Sequence, residues 1–467
     1  MIDVERLKQK ILDLAIRGQL VPQDPNDEPA SVLIDKIRAE KESLIKQGKI
    51  KRDKNESYIF KGDDNSYYEK VSGKMVCLDD EIPFEIPKNW MWIRLNSIAS
   101  FSSGKTPSMG NQDYYGDSTL WVTSKDMKTK YIVESQIMLS PLGVTQMQIY
   151  EPNTILMVAR SGILRHSIPV AILRRIATIN QDIKAISLYY PSLAEYIYLL
   201  IKGLESFILS NYTKSGTTVE SLVFEKFQKI LIPIPPENEI HRIQEKCNTL
   251  IAELEKIDSN YSSLEDDISS LKSKILDLFF NNNSRYKSYY GKRVETTLEK
   301  LIPKDKIGNG DWVLSEDMNP QGSIQLLQLK HIGNMVYQNK SFCHIDEQFF
   351  KKHKCSAIRE NYLLINRLVA SSMLCCLMPK TDVKTITSVD VCWIAPDETY
   401  NSKYLMYYLS SKVFQSKVLI LCSGSTRKRI SKKNLTHIPL FVHDKKQQDL
   451  IVNKIDNLFD LIEKVIG

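Results

Sequence analysis

The residues of this 467-residue chain best suited to chemistry are small hydroxyls and cations gathered around glycines. ASFSSGKT (Ala99 to Thr106) satisfies the relaxed form of a phosphate-binding loop, with alanine in place of the first glycine. Such a loop needs a helix to begin at its lysine, so that amide hydrogens and the helix dipole meet the phosphate. Pro107 and the turn-rich SMGNQDYYGD follow instead, which argues against nucleotide binding. Cys343, His344, His353 and Cys355 are metal-ligating types, but their spacing fits no common zinc site. Cys247 falls on a helix seam, and Cys375, Cys376 and Cys392 lie in apolar runs, so these read as buried thiols. No dinucleotide fingerprint, amino-methyltransferase motif, acidic metal-nuclease cluster or Ser/His/Asp signature occurs. The chain therefore reads as non-catalytic, with no cofactor or metal of its own.

What remains is binding. Two Ser-Gly loops present hydroxyls able to approach a backbone or a base edge: Ser215, Thr217 and Thr218 in the first, Ser423, Ser425 and Thr426 in the second. Arg427, Lys428, Arg429, Lys432 and Lys433 follow the second loop at once, a dense positive patch suited to phosphates. Val219 and Glu220 stand there in the first, so the two loops are not expected to read the same bases. The plainer alternative is a helix-to-strand turn beside a solvated basic face.

The elements that must position these loops are organised around one long helix, Glu237 to Phe280. Its apolar residues, including Ile243, Leu250, Leu254, Ile257, Leu264 and Leu271, alternate steps of three and four, the coiled-coil period, and demand a partner helix. At 1.5 Å per residue the helix is roughly 65 Å long, a spacer rather than a core element. The partner is split between the termini. LKQKILDL, with Leu7, Ile11 and Leu14, repeats LKSKILDL at 271–278. Near the end, Ile451, Ile455, Leu458, Ile462 and Val465 match Ile243, Cys247, Leu250, Leu254 and Ile257 at an offset of 208 (451 − 243). The same offset relates Ser423 to Ser215, so the chain reads as an internal duplication. Connectivity then makes the two long helices antiparallel, with one globular segment at each end, in the manner of a caliper.

Length predicts two or three domains. The net charge of +7 is compatible with nucleic acid without requiring it. No apolar run approaches the ~18 residues that span a bilayer, and the N-terminus lacks a signal-peptide core, so a cytoplasmic protein is expected. The predicted order is an N-terminal helix with a helical and hairpin extension (1–89), a mixed α/β segment (90–236), the long helix (237–280), a second α/β segment (281–443) and a closing helix (444–467). Within the first segment, strands are expected at Trp121–Ser124, Asn153–Arg160 and His166–Leu173, and one helix over Ala194–Tyr212.

These features together resemble the specificity subunit of type I restriction-modification enzymes. SGKTP, GDSTLWVTSKDM, NTILMVARSG, INQDIKAI, SGTT and IPIPPENE occur in that family's order, and LKQKILDLAIRGQLVPQDPNDEPAS is typical of its N-terminus. The resemblance implies an α+β fold. Two α/β target recognition domains would be separated by an antiparallel pair of coiled-coil helices with pseudo-two-fold symmetry. Each domain would read one half of a split, asymmetric DNA sequence. Two methyltransferase subunits would dock on the helices, and a motor-nuclease subunit is a further partner. S-adenosylmethionine, ATP and Mg would belong to those partners. The candidate DNA contacts it implies are Lys105, Thr106, Ser124, Lys125, Arg160, Gln181 and Lys184 in the first domain, and Lys330, Arg367 and Arg427 in the second, beside the hydroxyl loops, Lys428 and Arg429. A coiled-coil scaffold binding proteins alone is the rival reading.

Overall fold

A computed structural model describes residues 3–52, 57–214, 219–281, 291–424 and 427–466. It divides into two compact units, residues 1–259 and 260–467, and the boundary falls inside the long helix.

The first unit begins with α1 (Val4–Ile16), capped by the Asp3 side chain, and α2 (Ala30–Lys46). The hairpin expected near residue 60 is present and gains a third strand: Ser57–Lys61, Tyr67–Val71 and Lys74–Cys77 form an antiparallel sheet. Arg94 clamps this sheet to strand Met91–Arg94, its guanidinium 2.7 Å from both Glu69 and Glu81. Burial opposes the Arg94 charge, but the two carboxylates hold it protonated.

The main strands of the two larger sheets in this unit are β1 (Ala99–Ser103), β2 (Thr119–Val122), β3 (Ile137–Leu139), β4 (Ile155–Val158), β5 (Val170–Leu173), β6 (Ala177–Ile179) and β7 (Ile183–Leu188). One sheet has the order β1-β7-β4-β5 and is extended beyond β5 by the short strand Tyr131–Ile132; the other has the order β6-β2-β3, extended beyond β3 by Tyr115–Gly116, with β2 and β6 parallel. The unbroken apolar run of β4 reflects burial on both faces: Ile155 and Met157 enter one core, Leu156 and Val158 another. His166 and Ser167 precede the strand at Val170–Leu173 rather than belonging to it. The expected single helix is two, α3 (Ala194–Gly203) and α4 (Glu205–Tyr212), broken at Leu204. Gly203 lets Ile16 of α1 pack close against it, and Gln9 of α1 donates to the Gly203 carbonyl at 3.0 Å.

After α5 (Glu237–Phe280), the second unit repeats the plan. Its strands are β8 (Ile307–Asn309), β9 (Ile324–Leu327), β10 (Cys343–Ile345), β11 (Leu363–Asn366), β12 (Cys375–Leu377), β13 (Thr385–Thr387) and β14 (Val391–Ile394). They order as β8-β14-β11-β12 and β13-β9-β10, with β9 and β13 parallel, the arrangement of the first unit without its two short edge strands. Ile155 and Leu363, Ala177 and Thr385, and Ile183 and Val391 open equivalent strands, each pair 208 residues apart (363 − 155). Helices α6 (Ser402–Ser410), α7 (Lys412–Ile420) and α8 (Lys445–Ile466) complete the unit.

Each unit buries one end of α5. In the first, α1 lies antiparallel to it: Lys8 meets Glu255 at 3.4 Å, while Leu12 and Ala15 share a core cluster with Ile243 and Cys247. In the second, α8 packs on the last turns, with Lys272 bonded to Glu463 at 3.0 Å and Ile275, Leu276, Phe279 and Phe280 clustered with Ile451, Ile455 and Phe459. The seam is narrower than its period promised. Ile257, Leu264, Leu271, Leu7 and Leu458 are exposed, Leu264 by 40%, whereas Leu250, Leu254, Ile11, Leu14 and Ile462 are half-buried. Full burial is confined to the helix ends, where the neighbouring elements of each unit pack: Ile243 and Cys247 are buried near its start and Ile275 near its finish. The duplicated octapeptides share this outcome: Leu7 and Leu271 face outward, and Leu12 and Leu276 face inward.

Polar groups fix both ends of α5. Buried Glu239 accepts from Trp90 Nε1 at 2.9 Å and from Gln23, and Arg242 pairs with Asp27. At the other end Arg293 donates to the Phe279 and Phe280 carbonyls at 2.6 and 3.1 Å, capping the helix. Arg293 Nε also donates to Nε2 of buried His443, whose Nδ1 meets the Tyr404 hydroxyl at 2.9 Å. Burial and the adjacent guanidinium push the His443 imidazole down to about 4.

Two predictions follow from this packing. Ile243→Asp places a carboxylate in a closed core and should destabilise the first unit by at least ~3 kcal/mol in denaturant melts, whereas Leu264→Lys should change stability by under about 0.5 kcal/mol. A shift in the opposite order would show that α5 buries its second heptad stripe. His443 is neutral in the fold and charges more readily when unfolded, so its contribution is complete above pH 6.5 and falls as pH drops toward 4. Stability should fall by about 2 kcal/mol between pH 7 and pH 5 in the wild type, and this component should vanish in His443→Gln.

Candidate nucleic-acid interface

The site residues proposed from sequence converge because one end of each parallel strand pair collects the same five segments. In the first unit the Lys105 amide donates to Ile179 O at 3.0 Å, Asn180 N to Val122 O at 3.0 Å, and Ala159 N to Asp182 O at 2.8 Å. Arg160 pairs with Ser221. The second unit makes the equivalent bonds: Asp311 N to Thr387 O at 2.7 Å, Ser388 N to Leu327 O at 2.9 Å, and Arg367 N to Asp390 O at 3.0 Å, with Leu368 bridged to Arg429. Glycine is required where the first segment crosses the strand end. A Cβ at Gly104 would overlap the Ile179 carbonyl, and one at Gly310 the Ser388 and Thr387 carbonyls.

On this edge of the first unit, Lys105, Thr106, Ser124, Lys125, Arg160 and Gln181 are exposed, and Lys184 is half-buried. The Thr106 hydroxyl donates to Gln181 Oε1, and the Lys184 ammonium donates to the Ser103 hydroxyl and stands 5.2 Å from the Phe224 ring. Gln181 therefore faces outward with its carbonyl engaged by a neighbour on the same surface. Asp126 accepts from Thr123 N at 2.8 Å and closes the turn that presents Ser124 and Lys125. His331 does the same in the second unit, its Nδ1 accepting from Gln328 N at 3.0 Å, so exposed Lys330 stands where Lys125 stands. His331 is buried, stacked 4.4 Å from Phe342, and burial lowers its affinity for a proton.

Arg367 departs from expectation. It is 5% exposed, with Nη2 donating to Val389 O at 2.6 Å; burial and then Arg429 push its proton affinity down. Counting by 208, Arg367 corresponds to buried Ala159 and not to Arg160, so its backbone is on the edge but its side chain is internal. Arg429 is half-buried and paired with Asp390 at 2.7 Å. Lys432 donates to Ile307 O at 2.9 Å. Arg427, Lys428 and Ser423 are exposed, which leaves a smaller positive surface than the sequence run implied. Ser215, Gly216, Thr217, Thr218, Ser425 and Thr426 lie outside the described residues. Sequence reasoning passed over Asp311 and Trp312, which take the places of Lys105 and Thr106. The shared Gly104 and Gly310 were the available signal.

Among the described residues no group of three or more His, Cys, Asp or Glu could hold a metal ion. No helix among them is long and apolar enough to cross a membrane.

The type I restriction modification DNA specificity domain matches residues 87–261 and 306–466. Among curated proteins the chain is similar to the EcoAI specificity subunit of Escherichia coli, 29% identical over 277 residues, which are 54% of this chain and 41% of that protein. It is also similar to the EcoEI specificity subunit of the same organism, 46% identical over 99 residues, 21% of this chain and 14% of that protein. The matches thus span less than half the length of these relatives. A solved structure concerned with complex assembly and conformational transition of the type I R-M system shares the fold, with a TM-score of 0.56 at 16% identity over 82% of this chain and 93% of that one.

Removing the buried guanidinium by Arg367→Ala should cost the second unit about 2–3 kcal/mol in thermal or denaturant melts, whereas Lys428→Ala should cost less than about 0.5 kcal/mol. Equal effects would contradict the separation of an internal from a surface cation.

Proposed function

The chain belongs to the type I restriction-modification DNA specificity family, and from that membership we propose that it is the sequence-reading subunit of a type I restriction-modification complex. Each unit reads one half of a bipartite, asymmetric DNA target. The observation that carries this reading is the repeated five-segment edge, built by the same backbone bonds in both units but furnished with different side chains. Lys105, Thr106 and Ser221 in one unit stand against Asp311, Trp312 and Arg429 in the other. A conserved frame with divergent furnishing suits two half-sites of unlike sequence, since backbone contacts position a reader and side chains on base edges specify. Exposed Lys105, Lys125, Lys330, Arg427 and Lys428 supply the phosphate contacts.

In this reading the chain catalyses nothing and holds no cofactor. Adenine methylation with S-adenosylmethionine is the work of two methyltransferase subunits assembled on it, and ATP-driven cleavage with Mg that of a motor-nuclease subunit. The complex acts in the cytoplasm. A protein-only scaffold does not account for exposed cations on the same duplicated edge of both units.

The full chain co-expressed with its methyltransferase should yield methylated adenines at one split motif when host DNA is sequenced for modification. Its affinity for a duplex bearing that motif should fall steeply with salt, and Lys428→Ala should lower the log-log slope by about one. Methylation without a bipartite motif, or binding indifferent to salt, would sink the proposal.

A further inference from the structure

Trp312 is 67% exposed, while Trp90, Trp92 and Trp121 are buried and Trp393 bonds its indole nitrogen to Asn309 O at 3.0 Å. An indole left in water is a large apolar surface with nothing to offset it, and such residues concentrate where a partner binds. The ring is not on a loose loop. The residue before it, Asp311, donates its amide to Thr387 O at 2.7 Å and accepts from Ser356 N at 3.2 Å through its side chain. The residue after it, Val313, packs on the core formed by Ile324, Leu326, Ile345, Cys355 and Ile386. With both neighbours anchored inward, the intervening side chain is held outward, and among the described residues no ring or cation covers it.

Position identifies the occupant. Gly310 crosses the end of β13 as Gly104 crosses the end of β6, and Asp311 bonds there as Lys105 does, so Trp312 occupies the place of Thr106. In the first unit Thr106 and Gln181 form a hydroxyl-amide pair on this edge. In the second unit the residues at the corresponding positions are Trp312 and Val389, so two polar side chains are exchanged for two apolar ones on an otherwise shared frame. Hydrogen-bonding groups read base-edge donors and acceptors, whereas an apolar ring reads a thymine methyl or wedges at a base step.

We propose that Trp312 is a specificity-determining DNA contact of the second unit, reading its half-site through apolar contact with the bases where the first unit uses hydrogen bonds. This rests on the DNA-reading function proposed above. In the absence of the indole, the second half-site loses discrimination at the contacted position, and the first half-site is unaffected.

The test is modification mapping in cells expressing the full chain and its methyltransferase as wild type, Trp312→Ala and Trp312→Phe. The expected result is a wild-type bipartite motif, loss of about tenfold or more in discrimination at one or two positions of a single half in Trp312→Ala, and a smaller loss in Trp312→Phe. An unchanged motif in Trp312→Ala overturns the assignment while leaving the DNA reading intact. Absence of any bipartite motif in the wild type overturns both. Failure of Trp312→Ala to co-purify with the methyltransferase would place the ring in a protein interface and also overturn it. Should that variant not fold, acrylamide quenching decides. The quenchable component present in wild type and absent in Trp312→Phe should become shielded on adding a duplex with the mapped motif, and continued quenching would refute the contact.

Discussion

The candidate interface depends on one backbone crossing. The chain leaving β1 passes over the end of β6 so closely that only glycine fits, and the next amide bonds to the strand's last carbonyl; the second unit repeats this between β8 and β13. That bond holds the first segment against the parallel pair, and the remaining segments are tied to the same strand ends by their own amides. Because the frame is main-chain hydrogen bonding, side chains on it are free to differ without disturbing it. Lys105 and Asp311 make the same amide bond, though the Lys105 side chain is exposed and the Asp311 carboxylate accepts from Ser356 N.

The frame in turn rests on cores that clamp it from both sides. β4 and its counterpart β11 alternate their side chains between two clusters each, so neither sheet is free to slide in register without moving apolar groups into water. Helix α5 closes both cores. Its first turn carries buried Ile240 and Glu239, the latter satisfied by Trp90 and Gln23, and its last turn carries Phe279 and Phe280 under the Arg293 cap. Burial raises the Glu239 carboxyl's proton affinity, an opposing cost that its hydrogen bonds reduce.

On the shared edge, the units differ in what the frame leaves open. The turn after β2 is closed by Asp126 and the one after β9 by His331, two acceptors of different size doing the same local job and each presenting a lysine. A duplicated fold can change its ligand by altering such exposed positions, because exchanging Thr106 for a tryptophan at the equivalent site costs no core contact.

Much of this architecture was written in local pattern. The length of α5, the repeated octapeptide, the offset of 208 and the buried strand Ile155–Val158 are periodicities and identities, and these survive folding because they are properties of neighbouring residues. Tertiary structure alone decided which residues of the helix stripe are covered. Coverage follows where each unit's other elements pack on its helices, so Leu264 and Leu271 of α5 and Leu458 of α8 are exposed while Leu276 and Phe279 of α5 and Phe459 of α8 are buried. It also decided the fate of the cations: Arg367 lies inside and Lys428 outside, because burial is set by which strand ends meet. Trp312 is the converse case, an apolar residue turned to solvent because its two neighbours are claimed by the interior.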